Sequence, residues 1–102
     1  MAQSMDDLKK LKKLNLAANE AWSKFQEFNQ AVLGEGAIPT KYKELISLGV
    51  ALTTQCWYCL EVHRDNAKRA GASDEELAEV TLIAAALRAG GAYAHGTQLF
   101  DA

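Results

Sequence analysis

The chain has 102 residues, of which 49% are hydrophobic and 24% charged, and its formal net charge is −2. This length suits one small domain, taken as residues 1–102, and the interspersed charges do not predict a basic surface for nucleic acid. The sequence contains no run of about 18 apolar residues, so we expect no membrane span. The polar N-terminus lacks the apolar core of a secretory signal, so we expect a cytoplasmic protein.

Four helices and no strand are predicted along the chain. The first runs from about Ser4 to Leu33, where apolar residues recur at steps of three and four. The second begins at Pro39, because proline suits a first helical turn, and its apolar circumference places it in the middle of the molecule. The β-branched residues in Thr53–Gln55 interrupt that pattern, so we expect a turn there.

The third helix is expected from about Cys56 to Ala70, where a glycine follows. Ser73 then opens the sequence SDEE, in which Glu76 completes a capping box. The fourth helix that begins there is predicted to end at Gly90–Gly91, and the tail could form one more helical piece. Together these elements predict an all-α domain with a central helical hairpin.

Both cysteines of the chain, Cys56 and Cys59, lie in the sequence CWYC, and His63 follows four residues later. On a helical wheel these three side chains share one face. Residues three apart on a helix have Cβ atoms roughly 5–6 Å apart, so a small adjustment at the first turn would close a disulfide. Unpaired N–H groups at a helix start favour the thiolate, and His63 is within reach to take a proton from Cys59.

Glu44, the acid within the apolar run of the second helix, completes this group. Glu44 and His63 are equally far along the chain from the expected turn, so an antiparallel hairpin brings them together. We therefore predict a chain of carboxylate, imidazole and thiol. The alternatives are a surface pair between Glu44 and Lys41, a half-buried structural His63, and two inert buried thiols.

A zinc site is a further alternative, because the cysteine pair and His63 supply three ligands and Glu44 or His95 could be a fourth. A closed structural zinc site usually combines two such cysteine pairs, however, and the chain has one. A redox pair is preferred, since a resting structural disulfide is unusual in the cytoplasm.

The pattern E-x11-C-x-x-C-x-x-x-H resembles the active-site signature of the AhpD-like alkylhydroperoxidases, which belong to the carboxymuconolactone decarboxylase superfamily. It is formed by Glu44, Cys56, Cys59 and His63, and the resemblance covers about residues 38–91. It implies an AhpD-like helical fold and a homo-oligomer, a hexamer built as a trimer of dimers. It also implies that Cys59 is the peroxidatic thiol, Cys56 the resolving thiol, and His63 with Glu44 the proton relay.

The same resemblance implies no bound cofactor, but it does imply a reducing partner. The two thiols supply a single turnover, so a lipoylated or thioredoxin-like protein is expected to return the electrons. A lactone decarboxylase of the same superfamily is an alternative, although that chemistry does not need two thiols, and a non-enzymatic metal-binding module is another. The chain departs from the best-known members at Tyr58, where they have a histidine, because a phenol does not titrate near neutral pH.

Overall fold

The computed structural model describes residues 5–102, with side chains from Asp7 onwards. No strand occurs in that part of the chain, so the predicted all-α fold is confirmed. The elements in chain order are a short 3-10 helix (Met5–Leu8), α1 (Lys9–Ala17), α2 (Asn19–Leu33), α3 (Thr40–Thr54), α4 (Trp57–Arg69), α5 (Asp74–His95) and a second 3-10 helix (Gly96–Leu99).

The first predicted helix is two helices, and the prediction of one continuous helix is wrong. The chain leaves the helical conformation at Ala18, which has φ −122° and ψ 48°. The Ala18 N–H still bonds to the Leu14 carbonyl, and its own carbonyl accepts from Trp22 N–H, so Ala18 ends α1 and opens α2. Alanine is a strong helix former, so Ala18 itself does not signal the break, whereas Asn19, which follows it, is a residue type favoured at helix starts. The predicted start at Ser4 lies outside the described residues.

The central hairpin is confirmed and consists of α3 and α4. Gln55 follows α3 in the left-handed conformation, with φ 59°. The N–H of Cys56 then reaches back to the Ala51 carbonyl at 3.1 Å, the bond that closes a Schellman-type helix end. α4 begins at Trp57, so the chain reverses within two residues.

α5 lies beside α3 and runs parallel to it. At one end Lys41 Nζ lies 3.0 Å from Glu76 Oε2, and at the other Arg88 donates to the Thr53 carbonyl at 3.0 Å. The predicted capping box is confirmed, because the Ser73 hydroxyl accepts from Glu76 N–H at 3.1 Å and the Glu76 carboxylate accepts from Ser73 N–H at 2.9 Å.

α5 also continues further than predicted. It passes through Gly90–Gly91 and ends at His95, so the predicted end at the two glycines is wrong. Each glycine costs about 1 kcal/mol relative to alanine in a helix, but the flanking segments are rich in alanine and the helix is already formed when it reaches them. The tail forms the expected extra helical piece, Gly96–Leu99.

The core of the single chain is small. Among the described residues the buried apolar side chains are Leu48, Ala51, Ala67 and Ala84. The radius of gyration is 17.0 Å, whereas a compact domain of this length has about 13 Å. The chain exposes 8112 Å², while a compact monomer of its mass exposes about 5,700 Å². Much apolar surface is therefore left uncovered by the chain itself.

The segment Asp74–Leu99 is long and apolar enough to cross a membrane by length and composition alone. Only 6% of its most apolar window is buried, so it is not the enclosed core helix of this chain. Its apolar residues are interrupted by Thr81 and Arg88, so it is not an uninterrupted apolar run.

We predict that Glu76 makes stability dependent on acidic pH. The backbone N–H of Ser73, followed by Lys41, holds the pKa of Glu76 below its ordinary value. Because the folded-state pKa is the lower one, this contribution is present above the unfolded-state pKa and is lost as pH falls through the folded-state pKa. The difference in unfolding free energy between the parent and Glu76→Gln should therefore shrink on acidification. Glu75→Gln, outside the capping box, is the control and should show no such convergence.

Candidate active site

The central feature of the site is a contact between a carboxylate and an imidazole across the hairpin. Glu44 Oε2 on α3 lies 2.5 Å from His63 Nδ1 on α4. The Glu44 side chain is 6% exposed and that of His63 is 18% exposed. The predicted approach of these two residues is thus confirmed. A buried carboxylate requires a partner, and here the partner is the imidazole.

The contact also determines which imidazole nitrogen remains available. Since Nδ1 faces the carboxylate, the neutral ring carries its proton on Nδ1 and donates it to Glu44. Nε2 is then the nitrogen with a lone pair for a proton from another group. The carboxylate orients the ring, as outer-shell carboxylates do for histidines elsewhere.

The two cysteines stand at the start of α4 and are joined by a disulfide. Their Cα atoms are 5.3 Å apart, and the bond closes across the first turn as the spacing predicted. Cys56 is the N-cap of α4, and its sulfur accepts the backbone N–H of Cys59 at 3.3 Å. His63 lies one helical turn beyond Cys59. Carboxylate, imidazole and both sulfurs are therefore placed by a single hairpin.

The local backbone favours negative charge on Cys56 when the disulfide is reduced. A first-turn N–H already points at its sulfur, and the N-terminal end of a helix is the positive end of its dipole. Both effects stabilise a thiolate at an N-cap. His63, by contrast, follows Cys59 by four residues on the same helix. The two thiols thus have different neighbours, which allows them different roles.

The alternative pairing of Glu44 with Lys41 is not what the structure shows. Lys41 pairs with Glu76 on α5 instead, while Glu44 points inwards to His63. Among residues 5–102 no group of three or more His, Cys, Asp or Glu side chains is arranged to hold a metal ion. His95, the last residue of α5, is exposed.

Tyr58, the residue between the cysteines, faces the N-terminal helices. It is 44% exposed and lines an open cavity of about 510 Å³ together with Leu11, Lys12 and Trp22. An aromatic side chain next to the disulfide therefore lines this cavity. Its phenol takes no part in the hydrogen bonds described for the pair.

The roles of two residues that support the turn before the cysteines were not predicted from the sequence. Gln55 adopts the left-handed conformation that reverses the chain. Arg88 donates to the Thr53 carbonyl and so places a positive charge at the negative end of α3. The β-branched residues signalled the turn, but only the parallel packing of α5 on α3 reveals the role of Arg88.

A family model described as the carboxymuconolactone decarboxylase family matches residues 19–102. Two curated relatives are similar in sequence. Uncharacterized protein 4 in the cox locus of Paracoccus denitrificans is 40% identical over 74 residues, which are 72% of this chain and 67% of that protein. An uncharacterized protein of Cupriavidus necator is 37% identical over 70 residues. Those residues are 69% of this chain and 62% of the relative, so the chain spans less than two thirds of that protein.

Two crystal structures are similar to most of this chain in fold. A protein from Methanobacterium thermoautotrophicum matches with a TM-score of 0.81 and 31% identity. The match covers 88% of this chain and 98% of the Methanobacterium chain. An apo carboxymuconolactone decarboxylase family protein from Legionella pneumophila matches with a TM-score of 0.73 and 30% identity. That match covers 80% of this chain and 73% of the other.

We predict that Glu44 and His63 are coupled energetically. His63→Leu alone leaves the buried carboxylate without its partner and should lower the free energy of unfolding by about 3 kcal/mol. The double variant Glu44→Leu/His63→Leu removes the charge as well and should recover most of that loss. Denaturant unfolding at one protein concentration measures both changes. Additive effects of Glu44→Leu and His63→Leu would contradict the coupling.

Proposed function

The chain belongs to the carboxymuconolactone decarboxylase family, and we propose that it is a thiol-dependent peroxidase of the AhpD-like type. In this proposal Cys59 reduces an alkyl hydroperoxide, Cys56 resolves the product, and Glu44 with His63 moves the protons. The observation that carries the proposal is the Glu44–His63 contact one helical turn from a cysteine pair that can close a disulfide.

The first step oxidises Cys59. Nε2 of His63 takes the thiol proton, and the thiolate attacks the O–O bond of the hydroperoxide. The sulfur gains one oxygen and becomes a sulfenic acid, and the alkoxide leaves with the bonding electron pair. His63 returns its proton to the alkoxide, so an alcohol is released. Glu44 stays ionised and stabilises the imidazolium between these two transfers.

The second step forms the disulfide. The Cys56 thiolate, stabilised by the Cys59 N–H at the helix start, attacks the sulfur of the Cys59 sulfenic acid. Hydroxide leaves and takes the proton that the Cys56 thiol gave up, so water is the second product. The peroxide has then received two electrons from the two thiols.

A reducing partner must return those electrons. We propose a lipoylated or thioredoxin-like protein as the partner, since each carries a dithiol that can exchange with the Cys56–Cys59 disulfide. A cytoplasmic location suits this cycle, because thiols are kept reduced there. We further propose that the protein works as a homo-oligomer, a hexamer as the family resemblance implies, with no nucleic acid, membrane or bound cofactor involved.

We predict that the two thiols respond differently to a hydroperoxide. In the reduced parent protein, cumene hydroperoxide should remove both thiols of each chain, and a dithiol reductant should restore them. Cys59→Ser should abolish this loss. Cys56→Ser should still react, but it should stop at a sulfenic acid that dimedone traps on Cys59. Thiol titration and intact mass measure each outcome.

The opposite pattern would contradict the assignment of roles. If Cys59→Ser still formed a sulfenic acid on Cys56 at the parent rate, Cys56 would be the peroxidatic thiol. If the reduced parent protein kept both thiols in the presence of hydroperoxide, the peroxidase proposal itself would be wrong.

We predict that Glu44→Gln slows thiol oxidation about 10- to 100-fold without abolishing it. The amide has the same shape and can still contact the ring, but it carries no charge to stabilise the imidazolium. Glu61→Gln on α4, where the carboxylate pairs with Arg64, is the control and should react at the parent rate. Stopped-flow measurement of thiol oxidation at neutral pH tests this. A parent-like rate for Glu44→Gln would disprove the relay even if the redox pair survived.

A further inference from the structure

Two apolar surfaces of the chain are left without a partner. The first is on the arm, defined as residues 9–33 (α1 and α2). Along α2, Phe25, Phe28 and Val32 lie on one side at helical spacing, and each is about half or more exposed. Trp22, one turn before Phe25, stacks on its ring with centroids 6.0 Å apart and also faces Tyr58 of its own chain.

The second surface is the groove, an open apolar cleft of about 560 Å³ between α3 and α5. Its exposed apolar side chains are more numerous than its polar ones. They include Ile46 and Val50 from α3 with Ile83 and Leu87 from α5.

The arm of the same chain does not fill this groove. It packs beside Tyr58 of α4, and its end is tied by Lys43, whose Nζ donates to the Val32 and Gly34 carbonyls at 2.8 and 2.6 Å. Both surfaces therefore remain open on one molecule. The arm presents a ridge of aromatic side chains, and the groove presents an apolar cleft.

The charges next to the two surfaces are complementary. The arm begins with the sequence KKLKK, in which Lys12 and Lys13 are exposed. Glu79 lines one end of the groove in the acidic first half of α5, next to Glu76, which already pairs with Lys41 of its own chain. With the basic segment at that end, α2 would continue towards the other end of the groove. α2 would then run in the same direction as α3 and α5.

The exposed area is consistent with two contact faces on each copy. The chain exposes 8112 Å², roughly 2,400 Å² more than a compact monomer of this mass. A standard interface removes about 800 Å² from each partner. One arm and one groove on every copy would account for more than one such face.

We propose that the arm of one copy lies in the α3–α5 groove of a second copy, with Phe25, Phe28 and Val32 in the cleft and the lysines at its acidic end. This assigns the surfaces through which copies of the chain associate. It is independent of the peroxide chemistry, because none of the site residues belongs to either surface.

The experiment uses two full-length variants that each lose one half of the contact. Phe25→Glu/Phe28→Glu disables the arm, and Val50→Glu/Ile83→Glu disables the groove. Tyr93→Glu, an exposed apolar position on α5 that does not line the groove, is the control. Light scattering after size exclusion gives the mass of each protein, and circular dichroism gives its helix content.

Each double variant alone should have a lower mass than the parent, and the control should keep the parent mass. The two variants mixed one to one should form a complex that neither forms alone, since one still has its groove and the other its arm. If either variant loses helix content alone, the mixture should recover it. The mixed complex should also weaken with salt and when Lys12 and Lys13 are both changed to Glu.

Three outcomes would overturn the proposal. An arm variant of parent mass would mean that the groove pairs with another groove, and a mixture that forms no complex would mean that arm and groove do not meet. A monomeric parent whose α5 inserts into phosphatidylcholine vesicles, measured by co-flotation, would mean that the groove faces lipid. Each of these readouts is separate from thiol oxidation, so a failure here leaves the peroxidase proposal untouched.

Discussion

A carboxylate buried between two helices determines how α3 and α4 pack. Moving such a group out of water costs several kcal/mol unless it is paired, and Glu44 has His63 as its partner. A slip of one residue along either helix would turn one side chain away by about 100° and leave the carboxylate buried alone. The contact therefore fixes the register of the hairpin and holds His63, four residues after Cys59 on α4, against α3.

The turn that joins these helices brings opposite helix ends together. The last carbonyls of α3 form the negative end of one dipole, and the first N–H groups of α4 form the positive end of another. Arg88 contacts the first end, and the Cys56 sulfur accepts from the second. The positive end of the α4 dipole therefore stabilises negative charge on this sulfur. The positive charge of Arg88 offsets the negative end of the α3 dipole, which would oppose that charge. Gln55, in the left-handed conformation, lets the chain reverse within the two residues that this arrangement allows.

Sequence patterns predicted the features that depend on local chemistry or on spacing. The capping box at Ser73 has side chains that act within one turn, and the approach of Glu44 to His63 follows from their equal distance to the turn. The break at Ala18 was not predicted, because alanine favours the helix. The continuation through Gly90–Gly91 depends on a helix already formed, which a residue-by-residue propensity does not describe.

The small core links association to the stability of the site. The groups proposed for the chemistry all come from one hairpin, so no second copy has to supply a catalytic side chain. Yet the hairpin rests on α5, and few of its apolar contacts are enclosed, since Ala84 is the one buried apolar residue described on that helix. Anything that covers the outer face of α5 would bind the folded chain and not the unfolded one, and would stabilise it by mass action. The register of Glu44 against His63 would then be best maintained at concentrations where that face is covered.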